Sequence, residues 1–294
     1  MDERERVAEC FEEHRGRLRA VAYRMLGSMA EADDAVQETW IRLNRSDAGE
    51  VENLGGWLTT VVGRVALDML RSRRTLREEP LGVHLPEPIV DRADGVDPEH
   101  EAILADSVGL ALIVVLETLT PAERLAFVLH DMFAVPFDEI ARIVDRSPEA
   151  TRQLVSRARR RVRGATHPPD IDRAAQREVV DTFLAAARER DFDGIVAVLD
   201  PDVVLRIDVG ATPIGASRVA RGAANVARQA RGYSQLDLVI RPALVNGVVG
   251  TISFRDGQPY SIGDFIVRNG KIVEMDILAD PVRLSQVDLK NLDA

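Results

Sequence analysis

Residues 120–163 constrain the chain most, because they predict short helices separated by tight turns. Thr120 followed three positions later by Glu123 is the pattern of a capping box, which fixes a helix start. Residues 137–144 predict a second short helix, and Pro148 opens another directly after a short turn. Two helices joined by such a turn are typical of a helix-turn-helix.

The last of these helices is strongly basic. Residues 146–163 contain seven Arg and one Glu, a local charge of +6 (7 − 1), whereas the whole chain carries a net charge of −10. Its predicted apolar stripe consists of Ala150, Leu154, Ala158 and Val162. A basic helix after a short helix and turn can enter the major groove of DNA. We therefore predict DNA binding, with a merely solvated basic face as the alternative.

Length and composition limit the number of domains and the kinds of site that the chain can contain. A chain of 294 residues predicts two or three domains. The single cysteine, Cys10, excludes an intramolecular disulfide, and neither a metal-ligand spacing nor a phosphate-binding glycine loop occurs, so we predict no metal and no cofactor. The longest apolar run, residues 108–116, is about half a membrane span. With a charged start and no signal peptide, these features predict a cytoplasmic protein without a membrane partner.

The N-terminal quarter predicts two helices. Residues 3–26 have one apolar face, and Ser28 with Glu31 predicts a capping box that opens the next helix. The outward face of that next helix begins with four polar residues, Asp33, Asp34, Gln37 and Glu38. Acidic groups near a helix N-terminus favour either a binding surface or simple stabilisation of the helix dipole.

A third helix is predicted from Trp57 to Arg74, with an aromatic start and a basic end. Its Arg64, Arg71, Arg73 and Arg74, with Arg77 just beyond its end, form a second basic segment. Aromatic and basic side chains together suit melted or single-stranded nucleic acid. The alternative is that Trp57 belongs to the core.

The motifs in this order resemble an extracytoplasmic-function sigma factor over about residues 7–165. The residues that carry the resemblance are Asp33 to Trp40, Trp57-Leu58 with Asp68 and Leu70-Arg71, and Leu119 to Arg124 with the helix-turn-helix. The resemblance implies a protein that binds core RNA polymerase, at its clamp helices and flap, and directs it to promoters. It also implies sigma region 2 at residues 1–77 and region 4 at residues 99–166, both helical. It does not require an anti-sigma partner, although such partners are common.

The resemblance also implies roles for particular residues. It assigns polymerase binding to Asp33, Asp34, Gln37 and Glu38. Recognition of the −10 element falls on the loop 46–56 and on Trp57, Arg64, Arg71, Arg73 and Arg74, with Arg64 standing where many members have Asn. Recognition of the −35 element falls on Glu149, Arg152, Gln153 and Arg157.

Residues 78–98 predict a linker, since they are rich in proline and lack periodicity. Within it, the apolar and proline-stiffened stretch 84–88 predicts a plain spacer, with a docking peptide as the alternative. Beyond His167-Pro168-Pro169 two helices precede strand-like runs, with Asn-Gly or Asp-Gly at positions 246, 256 and 269 as hairpin signals. This order predicts an α+β domain with an antiparallel meander. The domain, residues 170–286, resembles the SnoaL-like cone that polyketide cyclases and ketosteroid isomerases share.

A group of extracytoplasmic-function sigma factors carries such an extension, and three elements of that group have counterparts in this chain. Its Leu-Pro-Glu-Pro linker element matches Leu85, Pro86, Glu87 and Pro88. Its Asp-Gly-Gly-Gly element aligns with residues 208–211, of which Asp208 and Gly210 agree. Its Asn-Pro-Asp-Lys-Leu element aligns with residues 280–284, which read Asp280, Pro281, Val282, Arg283 and Leu284. The resemblance implies that eight of these residues regulate activity between domains, namely Leu85, Pro86, Glu87, Pro88, Asp208, Asp280, Pro281 and Leu284.

Three functions stay open at this point. The resemblance favours a non-enzymatic sigma factor whose activity the C-terminal domain modulates. A ligand-responsive helix-turn-helix regulator is the second, with a small ligand in the C-terminal domain. The third is a SnoaL-like isomerase or cyclase fused to a DNA-binding module, for which the candidates are Asp208, Tyr260, Asp264 and Asp276. Strand alternation allows Asp208 or Asp264 to point into the cone.

Overall fold

The computed structural model describes residues 3–45, 53–76, 83–97, 100, 103–104, 109–165, 172–210, 217–233 and 235–289. The chain divides into two compact units. The first comprises Met1–Glu78, Pro98–Asp106 and Ile113–Ala165, and the second comprises Glu79–Asp97, Ser107–Leu112 and Thr166–Ala294. In the described residues, no helix is both long enough and apolar enough to cross a membrane.

The first unit begins with three helices, α1 (Glu3–Leu26), α2 (Met29–Arg45) and α3 (Leu54–Leu76). Gly27 ends α1 at a φ of 73°, and the Ser28 hydroxyl accepts a hydrogen bond from the Glu31 N–H at 3.4 Å, as the predicted helix start requires. Most of the predicted apolar faces are buried, including Phe11, Leu18, Val21, Met25, Val36, Leu43, Leu58 and Val65. The three helices therefore pack around a common core.

Further helices among the described residues include α4 (Gly109–Glu117), α5 (Pro121–Phe127), α6 (Phe137–Val144) and α7 (Pro148–Ala165), of which α4 begins in the second unit and enters the first at Ile113. The capping box at Thr120 and Glu123 is confirmed, and α5 continues into a π-helical turn, Val128–Met132. Asp145 adopts the left-handed conformation that ends α6. Only residues 145–147 separate α6 from α7, so the predicted helix-turn-helix is confirmed.

Within the first unit, α3 packs closely on α5. A Cβ atom at Gly63 would lie 3.2 Å from side-chain carbons of both Leu125 and Leu129, so the absence of a side chain there permits the approach. The buried Arg124 donates a hydrogen bond from Nε to the carbonyl of Arg24 at 3.0 Å. Helices α1–α3 and the helix-turn-helix half thus share one packed core.

The second unit contains helices α8 (Arg173–Glu189), α9 (Phe192–Val198), α10 (Ala223–Tyr233) and α11 (Pro281–Leu284). Its strands are β1 (Val90–Arg92), β2 (Leu199–Asp208), β3 (Arg218–Arg221), β4 (Val239–Val245), β5 (Val248–Arg255), β6 (Gln258–Arg268) and β7 (Lys271–Leu278). They form one sheet in the order β1-β4-β5-β6-β7-β2-β3. The predicted α+β class is confirmed.

The meander from β4 to β7 is antiparallel, and its three turns have the predicted geometry. Asn246, Asp256 and Asn269 have φ between 49° and 52°, and each is followed by a glycine with positive φ. Two successive positive φ values define the turn that matches strand twist in a hairpin. The sheet as a whole is mixed, however, because α10 separates β2 from the meander and β7 then pairs with β2 in parallel.

The concave face of this sheet forms the core of the second unit. Alternate residues of β2, β6 and β7 pack there against the helices α8, α9 and α10, with Phe183, Ile195, Leu205, Val226, Phe265 and Met275 buried together. The intervening residues of the same strands point to the opposite, convex face. The second unit is therefore a cone with a packed apolar interior and a distinct outer face.

Candidate functional site

The recognition helix α7 exposes the residues predicted to read DNA. Glu149, Arg152, Gln153 and Arg157 are all exposed along its first half. The Arg152 guanidinium lies 3.4 Å from a Glu149 carboxylate oxygen and 5.3 Å from the centre of the Phe137 ring. Because the ring of α6 supports it from one side, Arg152 projects from the start of α7 in a restrained position.

The rest of the basic face is partly neutralised inside the same unit. Glu123, whose side chain is 5% exposed, forms ion pairs with Arg157 at 3.2 Å and Arg161 at 3.0 Å. Arg159 binds both carboxylate oxygens of Asp131, at 2.6 and 2.8 Å. Burial opposes ionisation of Glu123, but hydrogen bonds from Thr120 and the two arginine charges lower its pKa overall. The sequence did not reveal these partners, because they come from separate helices.

The acidic face of α2 is present as predicted. Asp33, Asp34 and Gln37 are exposed, and Glu38 is half-buried. Arg19 of α1 binds Asp33 through Nε at 2.7 Å and through Nη2 at 3.2 Å. Asp34 and Gln37 are thus the members of this face with the most accessible polar groups.

The predicted −10 residues of α3 do not all lie on one surface. Trp57 is half-buried, whereas Arg64 and Arg71 are exposed. Arg73 instead turns toward the start of α2, where it pairs with Glu31 and donates to the Leu26 carbonyl at 3.1 Å. Arg73 thereby stabilises the turn between α1 and α2. The side chains of Arg74 and Arg77 and the loop residues 46–52 lie outside the described residues.

Three residues of α1 place potential metal ligands close together. One ligand atom from each of Cys10, Glu13 and His14 lies within 4.8 Å of the others. Their spacing of three and four positions puts them on one face of α1, a spacing that the sequence prediction of no metal site did not take into account.

The second half of the predicted linker is bound to the C-terminal sheet. Strand β1 pairs with β4, and the backbone of Ile89 exchanges hydrogen bonds with Asn246, whose side chain accepts at 2.9 Å and whose N–H donates at 2.8 Å. Leu85, Pro86 and Pro88 are buried, and Glu87 is half-buried. Residues 84–88 are therefore not a plain spacer, and the docking-peptide alternative fits them better, because Leu85 and the adjoining Ile89 have hydrogen-bond partners in the sheet domain.

Asp208 holds the start of this bound segment. One of its carboxylate oxygens accepts from the Leu85 N–H at 2.8 Å and from Arg283 at 2.6 Å. Arg283 also donates to the Leu85 carbonyl, so both backbone groups of Leu85 are satisfied. We call Leu85, Asp208 and Arg283 the linker clamp. The other Asp208 oxygen accepts from the Gly210 N–H at 3.0 Å and from Ser217 at 3.3 Å.

Residues 280–284, the third element of the resemblance, position Arg283 of the linker clamp. Asp280 caps α11 by accepting from the Val282 N–H at 2.9 Å, Pro281 occupies the first helical position, and Leu284 is buried. The close approach of Asp280 to Gly210 leaves no room for a side chain at that glycine. Arg283 was not among the predicted site residues, although its position corresponds to the Lys of the family element.

The remaining candidate acids lie on the convex face of the cone. Asp264 and Asp276 are directly opposite each other on β6 and β7, and Asp264 accepts from the Leu110 N–H at 3.0 Å. Arg206 binds both Asp276 and Glu274. Burial and the neighbouring Asp276 raise the pKa of Asp264 well above its usual value, and burial raises the pKa of Asp276 to about 6.

The idea that Asp208 or Asp264 points into the cone is wrong. Both are even-numbered residues of strands whose odd-numbered neighbours, Ile207 and Phe265, line the cavity of the cone. Each carboxylate is engaged by a backbone N–H on the other face. Tyr260 is the one member of that candidate set that lines the cavity.

Comparison with known proteins defines the class. Residues 10–75 match the family Sigma-70 region 2, and residues 109–162 match Sigma-70, region 4. The chain is similar to the ECF RNA polymerase sigma factor SigJ of Mycobacterium tuberculosis, with 39% identity over 95% of this chain and 94% of that protein. It is also 32% identical to the probable ECF RNA polymerase sigma factor SigI of the same species, over 97% of both chains.

The solved structures agree with this match. The crystal structure of M. tuberculosis SigJ superimposes with a TM-score of 0.75 and 36% identity, covering 96% of this chain and 99% of that one. Helical regions 2 and 4 followed by a mixed-sheet domain define a sigma factor with a C-terminal extension. The chain belongs to the extracytoplasmic-function family of sigma-70 RNA polymerase sigma factors.

Proposed function

We propose that this chain directs core RNA polymerase to specific promoters, reading the −35 element with α7 and the −10 element with α3. The observation that carries the proposal is the supported helix-turn-helix, in which Glu149, Arg152 and Gln153 are exposed at the start of the recognition helix. Side chains at this end of such a helix reach base edges, and an arginine pairs best with guanine. The paired Arg157 and Arg159 would instead position α7.

Fewer residues of α3 are placed to recognise the −10 element than the sequence predicted. On α3, Arg64 and Arg71 are exposed and Trp57 is half-buried, whereas Arg73 binds at the α1–α2 turn. An aromatic ring beside cationic side chains suits unstacked bases and their phosphates. On α2, Asp34 and Gln37 form the most accessible part of the surface that we assign to polymerase.

The C-terminal domain acts, in this proposal, by holding residues 83–92 through the linker clamp and the β1–β4 pairing. A segment bound along its length cannot at the same time extend freely between the two sigma regions. We assign no covalent chemistry to this domain, because the carboxylates of Asp208 and Asp264 are engaged on the convex face. The site of action, with RNA polymerase, is the cytoplasm.

The test of promoter reading compares Arg152→Ala with Arg160→Ala on reconstituted holoenzyme. Arg160 is the matched control, because it is exposed on the same helix and donates from Nε to the Ser156 carbonyl one turn earlier. We expect Arg152→Ala to weaken promoter binding by about 10- to 100-fold and to relax preference at one base position. Arg160→Ala should weaken binding to all sequences alike. Equal footprints for Arg152→Ala and the parent would refute the assignment.

Polymerase binding is tested on the opposite surface. Asp34→Arg should reduce binding to core polymerase while leaving direct promoter contacts intact. Glu12→Arg is the control, since Glu12 is exposed on α1 outside the acidic face and pairs with Arg15 of its own helix. A non-sigma regulator would tolerate both changes equally, so an unchanged polymerase affinity in Asp34→Arg would favour that alternative.

A further inference from the structure

The cone of the second unit encloses a cavity that neither promoter nor polymerase binding uses. Its volume is about 440 Å³, within the range of sites that bind drug-sized molecules. The cavity lies on the concave face of the sheet, between the strands and helices α8 and α10. Its inner wall is apolar, formed by Phe183, Leu205, Ile207, Phe265, Met275 and Ile277.

A small polar group sits within this apolar wall. The Tyr233 hydroxyl shares a hydrogen bond with the Ser261 hydroxyl at 2.5 Å, and Ser253 and Thr251 line the cavity beside them. Burial raises the pKa of Tyr233, although hydrogen bonds with Ser253 and Ser261 act in the opposite direction. The phenol therefore remains neutral and can donate to, or accept from, an oxygen of a bound molecule.

The charged residues that line the cavity are mostly positive. They are Arg188, Arg218, Arg228 and Asp237, a sum of +2 (3 − 1) in a chain of net charge −10. The three arginines are exposed and come from α8, β3 and α10, three different elements that meet around the cavity. Such a ring of positive charge attracts an anion and repels a cation.

We propose that this cavity binds an amphipathic organic anion, a molecule with an apolar ring or chain body and one acidic group. The apolar body would pack against the apolar wall of the cavity. A hydroxyl or carbonyl of the molecule would hydrogen-bond with Tyr233 and Ser261, and its acidic group would lie beside the arginines. A neutral apolar molecule would gain no attraction from the arginine charges. A sugar or nucleotide would bury little apolar surface against the apolar wall.

The cavity also touches the residues that position the linker clamp. Ile207 and Val209 line the cavity, and Asp208 between them holds Leu85 on the other face. A molecule that displaces Ile207 or Val209 would therefore move the Asp208 carboxylate. This coupling rests on the proposed regulatory role of the linker, whereas binding itself does not.

The experiment uses the full chain and the fluorescent probe 8-anilinonaphthalene-1-sulfonate, an amphipathic anion of suitable size. N-phenyl-1-naphthylamine, which has the same rings without the sulfonate, serves as the neutral comparison. We expect saturable binding of the sulfonate at one site and weaker binding of the neutral probe. Arg218→Gln should weaken sulfonate binding by about 2- to 5-fold and leave the neutral probe unaffected. Arg221→Gln, on the same strand outside the cavity, should change neither.

Cavity-filling variants locate the site. Ala230→Phe, on the cavity side of α10, should weaken both probes by about tenfold or more, whereas Ala224→Phe on the exposed side should not. Ala187→Leu on α8 gives the same test if Ala230→Phe fails to fold. Unchanged sulfonate binding in every folded cavity-filling variant would overturn the proposal, as would neutral-probe binding equal to that of the sulfonate. Because binding is measured without polymerase or DNA, these outcomes are independent of sigma activity.

Discussion

Replacement of Asp208 by Ala tests how firmly the C-terminal domain holds the linker. The carboxylate is 1% exposed and accepts hydrogen bonds from the Leu85 N–H, the Gly210 N–H, Ser217 and Arg283. Its loss leaves Arg283, only 19% exposed, without its anion and Leu85 without an acceptor. Breaking a buried ion pair from one side costs about 3–5 kcal/mol, most of which comes from the uncompensated charge.

Amide hydrogen exchange at Leu85 measures this directly. A charge-assisted hydrogen bond contributes about 1.5–3 kcal/mol, so its loss should speed exchange at Leu85 by roughly 10- to 100-fold. Asp208→Asn, which keeps an acceptor oxygen but loses the charge, should give a smaller increase. Exchange at Ile89 should change less, since Asn246 holds that residue independently. Unchanged exchange at Leu85 in Asp208→Ala, with the cone still folded, would refute the assignment of Asp208 as the residue that holds the linker.

Three further predictions concern stability. Glu123→Gln should destabilise the first unit at pH 7 by about 1–3 kcal/mol through loss of the capping box charge and two ion pairs. Because the pKa of Glu123 is lowered in the folded chain, this difference should vanish as the pH falls through that folded value; thermal melts at pH 7 and pH 3 check it. Asp264→Asn should behave in the opposite way. The pKa of Asp264 is raised by folding, so wild-type stability falls as the pH rises from the unfolded value of about 4 through the folded value, and the variant should gain on wild type over that interval in urea titrations. Arg73→Ala should lower the melting temperature, while Arg71→Ala, exposed on the same helix, should not; equal melting temperatures would contradict the tethering role.

Local signals in the sequence were sufficient for the sigma regions. The capping box at Thr120 and Glu123, the Ser28 helix start and the apolar periodicity of α1–α3 depend on residues a few positions apart, so they could be predicted without tertiary information. The three hairpin turns were predictable for the same reason, since Asn-Gly and Asp-Gly tolerate positive φ.

Contacts distant in sequence were not predictable. The pairing of Arg157 with Glu123, of Arg73 with Glu31 and of Arg283 with Asp208 depends on how separate elements pack, and nothing in the local pattern distinguishes a paired arginine from an exposed one. The strand β1 was missed because it comprises only Val90–Arg92 within a proline-rich stretch, and its pairing partner lies far along the chain. The face on which Asp208 and Asp264 lie depends on strand register, since a shift of one residue would reverse it.

Run-off transcription with core RNA polymerase measures directly whether this chain acts as a sigma factor that its C-terminal domain regulates. The assay compares the full chain with a form ending at Gly164 on a promoter selected by the holoenzyme. We expect promoter-specific transcripts that depend on Arg152, in amounts that differ between the two forms. Sequence-specific DNA binding without transcripts from either form would contradict sigma activity, and equal transcription from both forms would contradict regulation by the C-terminal domain.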